Sequence, residues 1–183
     1  QQSFVKKALA TDDFMILSGP PGTGKTTAIM EFIIQAIRKN KHVKILLSAS
    51  THIAIDNVLE NFIDRFGNTM YKENIYPIRI GTIGSISDRL DEYSYEKVKL
   101  INGESSADLY LKSANLVCGT TMGVSKYLNS STYGYEFDYL IIDEASKTTL
   151  QEFIVPASMC EKFIVVGDVN QLSPCLLYTS DAA

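Results

Sequence analysis

The chain has 183 residues, 45% of them apolar and 21% charged, which is the balance of one globular α/β-sized domain and excludes a wholly disordered chain or a fibre. No apolar run reaches the about 18 residues that a membrane-spanning helix needs, so no membrane partner is expected. The net charge of −4 excludes a strongly cationic coat but leaves room for a local basic groove.

In chain order, the first apolar strand is predicted over Phe14–Ser18. Gly19-Pro20-Pro21-Gly22-Thr23-Gly24-Lys25-Thr26 follows it and fits GxxxxGK(S/T) between a strand and a helix. Glycines there let backbone N–H groups converge on an anion, and the next helix adds the positive end of its dipole. The pattern predicts ATP as ligand. Lys25 would reach the β- and γ-phosphates, Thr26 would ligate Mg2+, and Thr27 would support the phosphates. Ile29, Phe32, Ile33, Ala36 and Ile37 then recur at helical spacing, a stripe that reads as core packing.

A second strand is predicted over Val43–Ala49, after a basic turn (Lys39, Lys41, His42, Lys44) that reads as solvated. Ser50, Thr51 and His52 then open a helix with the stripe Ile55, Val58, Leu59, Phe62, Ile63, Phe66. Hydroxyls at a helix start either cap it or accompany free N–H groups toward a phosphate, and both readings stand for Ser50 and Thr51. A third strand is predicted at Pro77–Ile80, followed by a polar, helical insertion over about 85–112 with a turn at Asn102-Gly103. Arg79, Lys97 and Lys99 are candidate phosphate contacts.

The fourth strand, Leu116–Gly119, leads to Thr120 and Thr121, which read as a capped loop or as a phosphate contact. Tyr127, Tyr133, Tyr135 and Tyr139 suit hairpin packing better than base stacking. The fifth strand, Tyr139–Asp143, ends in two acids, and a buried parallel strand delivers its C-terminal residues to the ligand edge. Asp143 would hold the metal and Glu144 would deprotonate the attacking water. The sixth strand, Lys162–Gly167, precedes Asp168-Val169-Asn170-Gln171. Cys118, Cys160 and Cys175 lie far apart, which suits a reducing compartment and argues against a disulfide framework or a metal cluster; Cys118 and Cys160 read as core residues.

Taken together, GPPGTGKTT, SASTHIAIDN, CGTTMG, DEAS and VVGDVNQLSP resemble the ordered motifs of superfamily 1 helicases over residues 1–174. The resemblance is closest to the 5′→3′ branch of the nonsense-mediated-decay RNA helicase, the AAA-type or Dna2/Nam7-like group. The Q-L-x-P ending differs from the Q-S-I-Y of 3′→5′ helicases. The resemblance implies a RecA-like P-loop sandwich of three layers around a mostly parallel sheet, ATP and Mg2+ as cofactors, and single-stranded DNA or RNA as partner. It implies that Gln1, with Gln2 as fallback, reads the adenine edge. It further implies that Ser50, Thr51, His52, Thr120 and Thr121 contact the strand, and that Gln171 meets the γ-phosphate. Ser50 and His52 stand where the family usually has proline and asparagine. A second RecA-like lobe carrying arginines is expected to be absent from the chain, so efficient hydrolysis and unwinding are expected of a longer parent. Residues 175–183, CLLYTSDAA, resemble a transposon-end sequencing adaptor and are expected to be non-native. A ring-forming ATPase that remodels protein shares GPPGTGKT but not the I-A-I-D-N and GDxxQLxP segments.

Overall fold

The computed structural model describes residues 2–128 and 136–171. Gln1, Tyr133, Tyr135, Cys175 and the 175–183 tail lie outside the described residues, and so do the last three positions of the VVGDVNQLSP motif.

Helix α1 (Gln2–Ala8) precedes β1 (Phe14–Ser18), and α2 (Lys25–Lys39) leads to β2 (Ile45–Ala49). Helix α3 (His52–Phe66) is followed by β3 (Pro77–Ile80). The polar stretch beyond it folds as a 3-10 segment (Asp88–Tyr93) and two helices, α4 (Tyr95–Asn102) and α5 (Glu104–Ser113). Gly103, at φ +86°, makes the break between these helices in a backbone region that side chains disfavour. Then come β4 (Leu116–Thr120), α6 (Thr121–Leu128), β5 (Phe137–Ile142), α7 (Leu150–Ala157) and β6 (Cys160–Gly167). Helix α7 starts on a capping box in which Thr149 and Glu152 exchange hydrogen bonds.

The six strands pair in parallel in the order β1-β6-β5-β2-β4-β3. Successive strand side chains point to opposite faces, and the core divides accordingly. Ile45, Leu47, Cys118, Ile141 and Ile164 pack with α1, α2 and α3. Leu46, Val117, Leu140 and Ile142 pack with α5 and α6 on the other side. The result is a three-layer α/β sandwich. Among the described residues, no helix is long and apolar enough to cross a membrane.

Strand limits differ from the sequence expectation where local bonds compete. Val43 belongs to a turn, its N–H reaching the Asn40 carbonyl at 3.1 Å, and β2 starts at Ile45. Strand β5 starts earlier, at Phe137, because that N–H donates to the Met159 carbonyl at 2.8 Å beside β6. The register puts Ser18 beside Gly167, Ile142 beside Val165, Ser48 beside Ile142 and Ala49 beside Thr120. All the C-terminal strand ends therefore share one edge, from which the loops of interest leave.

Candidate functional site

The loop after β1 is tied to β6 by Gly19, whose N–H donates to the Gly167 carbonyl at 3.1 Å. Gly22 and Gly24 have φ of +79° and +82°, values that a Cβ penalises, so glycine is required at both turns. Gly24 caps α2 without a side-chain bond, which leaves the first-turn N–H groups available to an anion. Thr23 Oγ1 donates to the Pro20 carbonyl at 2.7 Å and braces the loop. The Lys25 ammonium is folded inward, 2.6 Å from the Gly19 carbonyl and 3.1 Å from that of Pro20.

A cleft of about 360 Å³ opens beside this loop, lined by Pro21, Gly22, Gly24, Lys25, Thr26, Asp143, Glu144, Ser146, Gly167, Asp168 and Gln171. Sequence elements up to 150 positions apart thus meet as the strand-end rule predicts. Gly19, Pro20 and Thr23 belong to the same loop without lining the cleft, and Thr27 sits one residue further along α2.

Asp143 leaves β5 with its N–H on the Ser48 carbonyl at 2.9 Å and is 8% exposed. Burial raises its carboxyl pKa above the ordinary value. The Glu144 N–H on Oδ1 at 2.9 Å opposes this, the Glu144 charge adds to it, and the Lys25 and Lys147 charges oppose it. Glu144 adopts φ +51°, ψ +38°, a left-handed conformation uncommon outside glycine and asparagine. That turn swings the chain into a 3-10 segment (Ala145–Lys147) and lets Lys147 Nζ pair with Glu144 at 3.1 Å.

Three cleft residues, Ser146, Gly167 and Asp168, stand within the DEAS and VVGDVNQLSP motifs but were given no role in the sequence reading. Asp168 ends β6 as Asp143 ends β5, is 6% exposed, and its Oδ1 accepts from the Asn170 N–H at 3.0 Å. The same acid-after-apolar-strand signal could have found it. The Asp168 carbonyl also accepts from the Gln171 N–H at 3.1 Å, a turn that brings Gln171 to the cleft. Ser146 Oγ is buried and, among the described residues, lacks a hydrogen-bond partner; its place as the last residue of DEAS is the signal that could have found it.

The strand-contact candidates occupy the adjoining half of the same edge, on β2 and β4. Thr51 caps α3, accepting from the Ala54 N–H at 3.2 Å. Ser50 Oγ lies 2.8 Å from Thr148 Oγ1 and so joins this loop to the segment after the acid pair. His52 Nδ1 lies 3.1 Å from Arg79 Nη2. Thr120 Oγ1 accepts from the Gly123 N–H at 3.0 Å. Thr121 is buried, and its Oγ1 has no partner among the described residues.

Arg79 corrects the sequence expectation: it is 0% exposed and bonded to Asp56 at 2.7 Å, so it touches no outside phosphate. Lys97 and Lys99 pair with Asp91 at 3.1 Å and Glu104 at 2.6 Å. Tyr127 packs edge-on to Tyr95, with its hydroxyl on Glu96, and Tyr139 packs on Phe32. Burial pushes the thiols of Cys118 and Cys160 up to about 12, so neither is a ready nucleophile.

A parallel sheet that presents a glycine loop, a lysine, a threonine hydroxyl and a buried acid to one cleft defines a P-loop nucleotide-binding domain. The chain matches the family model described as AAA domain over residues 1–101 and 94–179, and it belongs to that family, in the Dna2/Nam7-like branch of superfamily 1 helicases. It is 34% identical over 185 residues to the DNA replication ATP-dependent helicase/nuclease DNA2 of Saccharomyces cerevisiae, a match covering 100% of this chain and 11% of that protein. It is 29% identical over 180 residues to the human DNA2 protein, covering 97% of this chain and 16% of the relative. An uncharacterized ATP-dependent helicase of Methanocaldococcus jannaschii is 27% identical over 252 residues, covering 97% of this chain and 37% of the relative. The chain therefore spans a minor part of each of these relatives. Among solved structures, a DEAD box protein from Methanococcus jannaschii superposes with a TM-score of 0.66 at 19% identity, covering 92% of this chain and 42% of the other. The UvsW helicase of bacteriophage T4 gives 0.57 at 19%, covering 91% and 50%. Both show the RecA-like helicase fold.

Proposed function

We propose that this chain is the ATP-binding lobe of a helicase that couples ATP hydrolysis to movement along single-stranded DNA or RNA. The observation that carries the reading is the single cleft holding Lys25, Thr26, Asp143, Glu144 and Gln171. The similarity to ATP-dependent helicases supports the same reading.

The loop N–H groups and the α2 terminus would cradle the triphosphate, and the Lys25 ammonium would exchange its two loop carbonyls for phosphate oxygens. The donor set fits magnesium, a hard cation that takes oxygen ligands, through the Thr26 hydroxyl and the Asp143 carboxylate. When bound, the ion would neutralise charge on the phosphates. Glu144 would take the proton of the attacking water as its oxygen bonds to the γ-phosphorus and the bond to the bridging oxygen breaks, releasing ADP. Gln171, an amide that both donates and accepts, would follow the γ-phosphate, and Gln1 would read the adenine edge. Ser50, Thr51, His52, Thr120 and Thr121 would face the phosphodiester backbone. A second RecA-like lobe would close over the cleft and alternate the grip.

The test is binding of a fluorescent ATP analogue with magnesium, set beside phosphate release. Lys25→Ala is expected to weaken binding at least about tenfold, as loss of a charge-assisted contact would. Glu144→Gln is expected to bind like the unmodified chain and to lose about 10²–10⁴ in turnover. A Glu144→Gln chain that still turns over normally would remove Glu144 from the role of base.

A further inference from the structure

Helix α3 and strand β3 meet over a buried polar network that ends at His52. The Arg79 guanidinium donates from Nε to Asp56 Oδ1 at 2.7 Å and from Nη1 to the Ile80 carbonyl at 2.6 Å, and its Nη2 lies 3.1 Å from His52 Nδ1. The second Asp56 oxygen accepts from the Ser87 N–H at 3.0 Å, so the carboxylate that anchors Arg79 is itself held. A guanidinium has five N–H donors and no acceptor. In the contact with Nη2, His52 Nδ1 must therefore be the acceptor and carry no proton. The one ring proton then resides on Nε2. His52 opens α3 at the ligand edge, half-buried, between exposed Thr51 and Ile53.

We propose that Arg79 is a positioning residue that fixes His52 as the neutral Nε2–H tautomer, giving this edge an uncharged donor for a nucleic-acid phosphate oxygen. The proposal rests on the strand-binding reading of the β2 and β4 loops. The charged groups facing His52 are Arg79 from β3 and Asp56 from its own helix. Burial and the Arg79 charge push the imidazolium pKa below the usual 6.5, against a smaller pull from Asp56. Two consequences separate this device from a cationic contact. A neutral donor releases no counterion, so it sets affinity without entering the salt slope. It also gains nothing from protonation, so its contribution does not grow as pH falls from about 8 to about 6.

Long-range proton–nitrogen correlation on the nitrogen-15 histidine-labelled chain reads the tautomer directly, with His52→Asn assigning the signals. The expected result is a bare Nδ1 and a protonated Nε2 throughout that pH range. A protonated Nδ1 overturns the proposal. Arg79→Lys keeps a cation but loses the fork, and is expected to let the ring average between tautomers; a ring that stays fixed overturns the role of Arg79. Fluorescence anisotropy with labelled oligo-dT, repeated at several salt concentrations, tests the contact. His52→Ala is expected to weaken binding about ten- to a hundredfold, the loss of a hydrogen bond to a charged group, with the salt slope unchanged. His52→Asn, whose amide both accepts from Arg79 and donates, is expected to restore binding to within about threefold. If His52→Ala binds as the unmodified chain does, or lowers the slope by about 0.7, the neutral-donor proposal fails while strand binding stands. If the unmodified chain shows no salt-sensitive binding to oligo-dT or oligo-U, the strand-binding reading falls first and the proposal with it.

Discussion

Asp143 sits between two demands. Its place at the end of β5 brings it to the cleft, yet burial there penalises the charge that the proposed role as metal ligand needs. The folded chain holds this proton to a higher pH than the unfolded chain does. Between the ordinary value of 3.8 and the raised one, the folded state binds more protons, so this group's contribution to stability falls as pH rises through that window. Above the window the charged carboxylate is a standing destabilisation, and a bound cation would relieve it. Asp143→Asn keeps the acceptor for the Glu144 N–H and removes the charge. Its melting midpoint at pH 7 without ligand is expected to lie a few degrees above that of the unmodified chain. The advantage should shrink as pH falls and the native carboxyl takes up its proton. The same variant should lose magnesium-dependent tightening of nucleotide binding. Melts at neutral and acid pH test the first point, and a midpoint lowered at pH 7 would show that the Lys25 and Lys147 charges outweigh burial.

Close strand approach sets the strictest limits among the elements. Gly119 of β4 pairs with Ile80 of β3, and a Cβ at Gly119 would lie 2.5 Å from Ile80 Cγ1 and 2.9 Å from its Cδ1. Cγ1 moves only by rotation about χ1, which is restricted in a β-branched side chain, so Gly119→Ala must push β3 or force an unfavourable rotamer. Denaturant unfolding is expected to show a loss of about 1–3 kcal/mol, the usual penalty of overpacking; a neutral result would mean that Ile80 has a vacant rotamer to move into. The same region marks how far sequence reading reaches. Apolar runs of about four to eight residues bounded by turn signals read as strands, so LVCG, buried throughout, was legible with little context, and so was FMILS, although β1 is an edge strand that leaves Phe14 and Ile16 exposed. The glycine loop and the acid pair were legible because each chemistry needs particular residue types at fixed offsets from a strand end. Arg79 was misread because a cation within a strand looks solvent-facing until its partner is known. That partner, Asp56, lies on the buried side of another helix, where the apolar periodicity gives no hint of a carboxylate. Thr51 and Thr120 kept both readings in sequence, and the structure leaves them compatible: each hydroxyl oxygen accepts a cap bond from a backbone N–H, which leaves its own O–H uncommitted as a donor.

Across the whole molecule, the cleft has bases, acids and hydroxyls on its walls but no arginine. The chain has four arginines, and each is engaged elsewhere. Arg38 pairs with Glu73 at 2.7 Å, Arg65 stacks over the Phe66 ring at 5.3 Å, Arg79 is buried beneath α3, and Arg89 bridges Glu60 and Asp64. The positioning proposed for Lys25 and the base catalysis proposed for Glu144 would then act without the guanidinium that neutralises charge on the transferring phosphoryl group. That group accounts for about 10³–10⁵ in rate where it has been removed from related chemistry. The 183-residue chain alone is therefore expected to bind magnesium and ATP but to release phosphate at a rate on the order of 10⁻⁴ s⁻¹, the scale of a P-loop site without an arginine finger. Added single strand should change that rate little, because a strand bound on β2 and β4 brings no cation to the cleft on β1, β5 and β6. Steady-state phosphate release with and without oligo-dT decides the matter. Strand-stimulated turnover of about 1 s⁻¹ or faster would mean that Lys25, Asp143 and Glu144 suffice, and would remove the need for a second lobe in the chemical step.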